Sequence, residues 1–128
     1  MTPEDYIAFA ARFVRAVEGG DAEAARDCYA PDAKIWHNHD GVEQTVDQNI
    51  RSLEWFARKL PGRKYRVLRV EALPDGYVQQ HVLEATLPDG APWKLDACIV
   101  VRIENGRITR LDEYLDSGQA AALSQLGR

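Results

Sequence analysis

The chemistry available to this chain is concentrated in three histidines, His37, His39 and His81, and in one carboxylate, Glu113, set between Leu111 and Leu115. Imidazole is the side chain that exchanges a proton near neutral pH. A carboxylate flanked by inward leucines is either a desolvated acid or a sign that its strand is out of register. Other chemistries lack their parts. There is no Gly-rich phosphate loop, no Gly-x-Ser-x-Gly and no Cys-x-x-Cys, and the three serines (Ser52, Ser117, Ser124) have no nucleophile context. His37-x-His39 has the same-face spacing of a ligand pair, and His81 with a carboxylate could complete a set. That spacing is unspecific, His39 falls where its strand should end, and Asp40 reads as the start of an Asp-Gly turn, so no metal and no cofactor is expected.

The elements that must position these groups can be read in order. Thr2-Pro3-Glu4-Asp5 is a helix start, with a hydroxyl cap, proline in the first turn and acids beside it. Ile7, Ala10, Ala11, Val14 and Val17 recur at helical spacing, widened by Phe9 and Phe13, until Gly19-Gly20. Asp21 caps a short second helix to about Cys28, which Pro31 would stop. A short strand is expected over 33–38. Thr45-x-x-Gln48 is a capping box, and behind it Val46, Ile50, Leu53, Ala57 and Leu60 form one face of a helix halted by Pro61-Gly62. From there the period changes to two. Residues 64–73, 77–87, 93–104 and 107–116 read as strands joined by Pro74-Asp75-Gly76, Pro88-Asp89-Gly90 and Asn105-Gly106, the last a strong hairpin signal. Strands this long twist and coil. The expected fold is therefore α+β: a helical hairpin and a long helix on a curved, mostly antiparallel sheet, forming a cone whose mouth lies between helix and sheet. The tail, 117–126, is weakly helical and could close that mouth.

Strand alternation then orients the reactive groups. Ile35 points His37 inward and Trp36 outward; Tyr77, Leu83 and Ala85 bring His81 to the inner face; Leu111 and Leu115 do the same for Glu113, although Ile108 conflicts with that parity. Trp36, Trp55, Phe56, Trp93 and Tyr29 are aromatic candidates for the pocket wall, but Trp55 and Phe56 cannot both face the sheet. Tyr29, Ile35, Trp55, Phe56, Leu83 and Leu115 are taken as ligand contacts. Asp96 alternates away from Leu95 and Ile99 and should lie outside the cone.

Bulk properties bound the partners. A chain of 128 residues is the size of one domain, 1–128, with a core of its own. The net charge of −4 lacks the basic footprint that nucleic acid requires. The basic stretch from Arg58 to Arg66 reads as cations at a helix end. Cys28 and Cys98 stand 70 residues apart in no metal or redox spacing, which suits a reducing compartment. With an acidic start and no apolar run of about 20 residues, the chain reads as cytoplasmic, with no membrane partner. The outer sheet face, through Val78, Val82, Cys98 and Val100, is expected to make a homodimer.

Three segments carry a resemblance. Residues 12–21 (Arg-Phe-Val-Arg-Ala-Val-Glu-Gly-Gly-Asp), 29–37 (Tyr-Ala-Pro-Asp-Ala-Lys-Ile-Trp-His) and 104–116 (Glu-Asn-Gly-Arg-Ile-Thr-Arg-Leu-Asp-Glu-Tyr-Leu-Asp) resemble the nuclear transport factor 2-like superfamily, in its SnoaL-like and ketosteroid isomerase-like branch. The resemblance spans nearly the whole chain and implies the cone fold. It places the isomerase's aspartate base at His37, its oxyanion-hole tyrosine at Phe13 and its protonated aspartate near Ile99. Phe13 and Ile99 carry no donor, so the likeness does not extend to steroid isomerisation proper. The strand carboxylate of limonene epoxide hydrolase falls on Glu113, and its Arg-x-Asp pair on Gln79 and His81. Phe13, Gln79 and Ile99 thereby join the expected ligand contacts. Two functional readings follow. One is a cofactor-independent enzyme of isomerase, cyclase or hydrolase type, using His37, His81 and Glu113 in acid/base chemistry on a small hydrophobic molecule. The other is a binding or dimerisation module of the same fold without turnover.

Overall fold

The fold, taken from a computed structural model that describes residues 1–127, begins with two helices, α1 (Pro3–Glu18) and α2 (Ala22–Cys28). Thr2 Oγ1 accepts from the Asp5 amide at 3.1 Å and Asp5 Oδ2 from the Thr2 amide at 2.8 Å, so α1 opens on a reciprocal cap. Its C-terminus is held by Arg63, a buried cation whose Nη2 donates to the Val17 carbonyl at 2.8 Å, where the helix dipole favours positive charge. The buried stripe of α1 is Tyr6, Phe9, Ala10, Phe13, Ala16 and Val17. This corrects the expected face: Ile7 is 39% exposed and Ala11 faces solvent. The aromatic rings remove more apolar area from water than Ile7 and Ala11, and they set the rotation of the helix.

After α2 comes β1 (Tyr29–His37), then β2 (Glu43–Gln44), α3 (Val46–Lys59), β3 (Lys64–Leu73), β4 (Gly76–Thr86), β5 (Pro92–Glu104), β6 (Arg107–Leu115) and α4 (Ser117–Ala120), followed by a 3₁₀ turn (Ala121–Leu126). One six-stranded sheet results, ordered β2-β1-β6-β5-β4-β3. All neighbours are antiparallel except β1 with β6. The architecture is the α+β cone expected from the pattern. α1 packs on β3 and β4 and α3 on β1, over a core that includes Tyr77, Ile99, Val101, Ile103 and Ile108.

The strands differ from expectation in one boundary and in one element that was not expected, β2. β1 begins at Tyr29 rather than Ala33, and Pro31 lies within it. The ladder tolerates this because its register with β6 jumps between Tyr29 and Lys34, where no amide is demanded of Pro31. The two-residue β2 is too short to leave a periodic signal. The remaining strands match within a residue. Asn105 and Gly106 both adopt positive φ, as a type I′ hairpin requires.

The parity conflict in β6 has a mechanical answer. Arg102 pairs with Arg110 but Ile103 pairs with Ile108, so Thr109 is an extra residue. This β-bulge re-phases the strand, and Ile108 and Leu111 both point inward despite opposite parity. On the outer face, Val82 is unavailable for a subunit contact. It is 4% exposed, and Arg66, its cross-strand partner, reaches along the same face to Glu84 at 2.6 Å. Val100 and Tyr114 are among the exposed apolar groups there.

Gly76, first residue of β4, has no room for a side chain: a Cβ there would lie 1.8 Å from the Val101 carbonyl oxygen. Gly76→Ala is expected to destabilise the fold by about 3 kcal/mol or more. Thr45→Ala, which removes only the α3 cap, should cost about 1 kcal/mol. Denaturation midpoints that reverse this order would contradict the packing described.

Candidate functional site

Cross-strand register builds the site. Gln79, Ile99, Glu113 and His37 form a single row across the inner face, each opposite the next on β4, β5, β6 and β1. His81, Ala97 and Leu115 form the adjacent row. His37 Nε2 lies 3.0 Å from Glu113 Oε1, with both side chains largely buried. A carboxylate only accepts, so this contact places the His37 proton on Nε2 and leaves the lone pair on Nδ1. Asn38 secures the register just beyond β1: its amide donates to the Glu113 carbonyl at 3.0 Å, and its side chain both accepts from the Leu115 amide at 2.9 Å and donates to the Leu115 carbonyl at 3.3 Å.

The two inward imidazoles are driven in opposite directions. Burial alone would depress His37, but the hydrogen bond and charge of Glu113, joined by the charge of Asp40, outweigh it and raise its pKa. Burial lowers the pKa of His81, with Glu113 opposing only in part. His81 is 5% exposed, and its Nδ1 lies 3.0 Å from Gln79 Nε2. Neighbouring groups pushed apart in this way are the pattern by which acid and base assignments are made.

A cavity of about 870 Å³ opens between sheet and α3, within the usual range of about 300–1,000 Å³ for small-molecule sites. Beneath it lies a recess of about 70 Å³. His37, Asn49, Leu53, Tyr65, His81 and Glu113 line both. Of the expected contacts, Trp55, Phe56, Leu83 and Leu115 line the outer cavity, and Phe13, Tyr29, Ile35, Gln79 and Ile99 the recess. Trp55 and Phe56, held apart in the sequence reading, both reach the cavity because it extends around that flank of α3; their rings meet edge to face at 5.2 Å. Two aromatic candidates fall elsewhere. Trp36 packs on Tyr114 at 5.4 Å on the outer face, and Trp93 donates from Nε1 to the Gln119 carbonyl at 2.9 Å, fastening the tail.

The tail forms one wall of the mouth through Ser117, Ala120, Ala121, Leu123 and Ser124. Asp116 caps it, and Gln119 clasps Asp96, accepting from its amide at 2.7 Å and donating to its carboxylate at 2.9 Å. Asp96 thus lies outside the cone, as its parity requires. His39 stands at the mouth, 37% exposed, with Nε2 3.7 Å from Asp40. Among the described residues no three His, Cys, Asp or Glu side chains gather as a metal set.

Sequence reasoning named Tyr29 but overlooked the polar strip it begins, which joins β1, α3 and β2. Tyr29 Oη donates to Asn49 Oδ1 at 2.9 Å, Asn49 Nδ2 to Gln44 Oε1 at 3.2 Å, and Gln44 Nε2 to Ser52 Oγ at 3.3 Å. It also overlooked Tyr65, whose phenol is held protonated by burial and by the charge of Glu113. Alternation along β3 places Tyr65 inward opposite Leu83, so that signal was present. Asn49 had none, being a polar residue on the buried face of a helix.

No helix among the described residues is long and apolar enough to cross a membrane. Crystal structures with the same fold include IdmH of Streptomyces antibioticus, a proposed polyketide cyclase, at 21% identity over 96% of this chain and 99% of that one, with a TM-score of 0.81. PrhC of Penicillium brasilianum is 14% identical over 98% of this chain and 89% of its own, with a TM-score of 0.85. An LEH-like epoxide hydrolase of M. tuberculosis is 14% identical over 97% and 92% respectively, with a TM-score of 0.77. No functionally curated protein matches. The family model of the SnoaL-like domain matches residues 10–111, and the chain belongs to that family, within the nuclear transport factor 2-like superfamily.

Proposed function

We propose that the protein is a cofactor-independent enzyme that moves a proton on a small, hydrophobic, oxygen-bearing ligand held in the cone. The observation that carries this reading is the 3.0 Å contact of His37 Nε2 with Glu113, made beside a second imidazole of opposite tendency in one cavity. In this reading His37 Nδ1 is the base, and Glu113 orients the ring and stabilises the imidazolium that forms. His81 donates a hydrogen bond to oxygen that gains negative charge as the proton leaves carbon. Trp55, Phe56, Leu83 and Leu115 cover the apolar part of the ligand, and the amides of Gln44 and Asn49 face its oxygen substituents. The names of the fold neighbours, a proposed polyketide cyclase and an epoxide hydrolase, are compatible with proton transfer on such ligands.

The competing reading, a binder without turnover, draws on Phe13, which stands in the recess wall where the resemblance expects a tyrosine donor. The two separate on a probe that reports proton abstraction directly. Exchange of the α-hydrogens of 2-tetralone for deuterium in D₂O, followed by proton NMR, should be accelerated by the protein. It should fall by roughly 100-fold or more in His37→Ala, the usual cost of losing a general base. Exchange equal in parent and variant would reject the enzyme reading for carbonyl ligands.

The pH profile carries a sign. His37 acts as a base only when neutral, and its pKa is raised, so the exchange rate should climb with pH to a plateau with its midpoint above the ordinary histidine value of about 6.5. In Glu113→Gln the opposing effect of burial is left nearly alone, and the midpoint should move below that value while the plateau drops. An unchanged midpoint would sever Glu113 from the base.

A further inference from the structure

Gln79 sits two residues before His81 on the inner face of β4, is 2% exposed, and lines the recess but not the outer cavity. Its strand neighbours in the row are Val70 and Ile99, both apolar. An amide buried in such company is costly unless its hydrogen bonds are made. The bond it makes runs from Nε2 to His81 Nδ1 at 3.0 Å. An amide nitrogen has only hydrogens to offer, so the imidazole must accept at Nδ1. An uncharged ring that accepts there carries its own proton on Nε2. No protein partner takes up that Nε2–H among the described residues, and the ring lines both hollows.

We infer that Gln79 is a positioning residue: it stands behind His81, locks the ring in the Nε2–H tautomer, and so makes it a hydrogen-bond donor toward the cavity that cannot serve as a second base. The donor role is the one used in the proposed function, and the inference rests on that reading for its purpose, though not for its geometry. It also changes the assignment of Gln79 from ligand contact to support. The groups that face the His81 ring are Gln79, the Tyr65 ring at 5.5 Å between centroids, and the charge of Glu113, and of these only Gln79 bonds to Nδ1. A glutamate in its place would reverse the polarity of the contact. Its carboxylate can only accept, so Nδ1 would hold the proton and Nε2 would present a lone pair to the cavity.

The test is long-range ¹H–¹⁵N NMR of the imidazole rings, which distinguishes protonated from unprotonated ring nitrogens and needs no substrate. In the parent protein at neutral pH, His81 should show unprotonated Nδ1 and protonated Nε2. In Gln79→Glu the two should exchange roles, and the His81 titration should move up by roughly one pH unit or more, the effect of a carboxylate at contact distance. The same variant should slow deuterium exchange into 2-tetralone by about 10-fold or more through kcat, with KM little changed. A protonated Nδ1 in the parent protein, or an unaltered tautomer in Gln79→Glu, would overturn the inference, and the parent spectrum decides even if the variant does not fold. The predicted tautomers without any tetralone exchange would leave Gln79's role standing and reject the enzyme reading instead.

Discussion

The parallel pairing of β1 with β6 is the contact on which the rest depends, because it alone sets His37 opposite Glu113. Every other neighbour relation in the sheet is antiparallel and follows from a local turn. The β1–β6 ladder has no such turn to fix its register. The register comes from Ile35, buried at 1% exposure beside Leu111, and from Asn38, whose side chain continues the ladder past the end of the strand. A slip of one residue would present Trp36 to the cavity and turn His37 outward. Packing of Ile35 and pairing of the reactive residues are therefore one constraint.

Within that frame the electrostatics divide the labour between two like side chains. Both imidazoles are desolvated, which favours their neutral forms. Only His37 touches a carboxylate, and that contact reverses the outcome. His81, one row away, senses Glu113 too weakly to be reversed. Residue type is the same in the two places; which row the ring occupies decides which one prefers the proton.

Much of this arrangement was legible in the residues. Period-two alternation with Asn105-Gly106 and the Pro-Asp-Gly turns located the four long strands, and parity aimed His37, His81 and Glu113 into one hollow. Parity fails where an element is irregular. The bulge at Thr109 made Ile108 seem to argue against its own strand, and the register jump around Pro31 hid four residues of β1. Helix faces were harder, since the α1 stripe is decided by the bulk of Phe9 and Phe13 against β3 and β4, a tertiary matter. Trp36 and Trp93 show why aromaticity alone is a poor guide to a binding wall: one packs on Tyr114 outside the cone and the other fastens the tail. Asn49 and Asn38 matter through partners distant in the chain, and no local pattern announces such partners.

The parallel ladder has a further consequence for assembly. β1 leaves the ribosome well before β6, so the His37–Glu113 contact closes a very long loop, and loops of that kind close late and slowly. The β3–β6 meander can form from neighbouring hairpins beforehand, already carrying His81 and Gln79 on its inner face. Under the proposed function, a nascent or partly folded chain would then own a hollow with a donor but no base. Reactivity would be withheld until the first strand docks against the last.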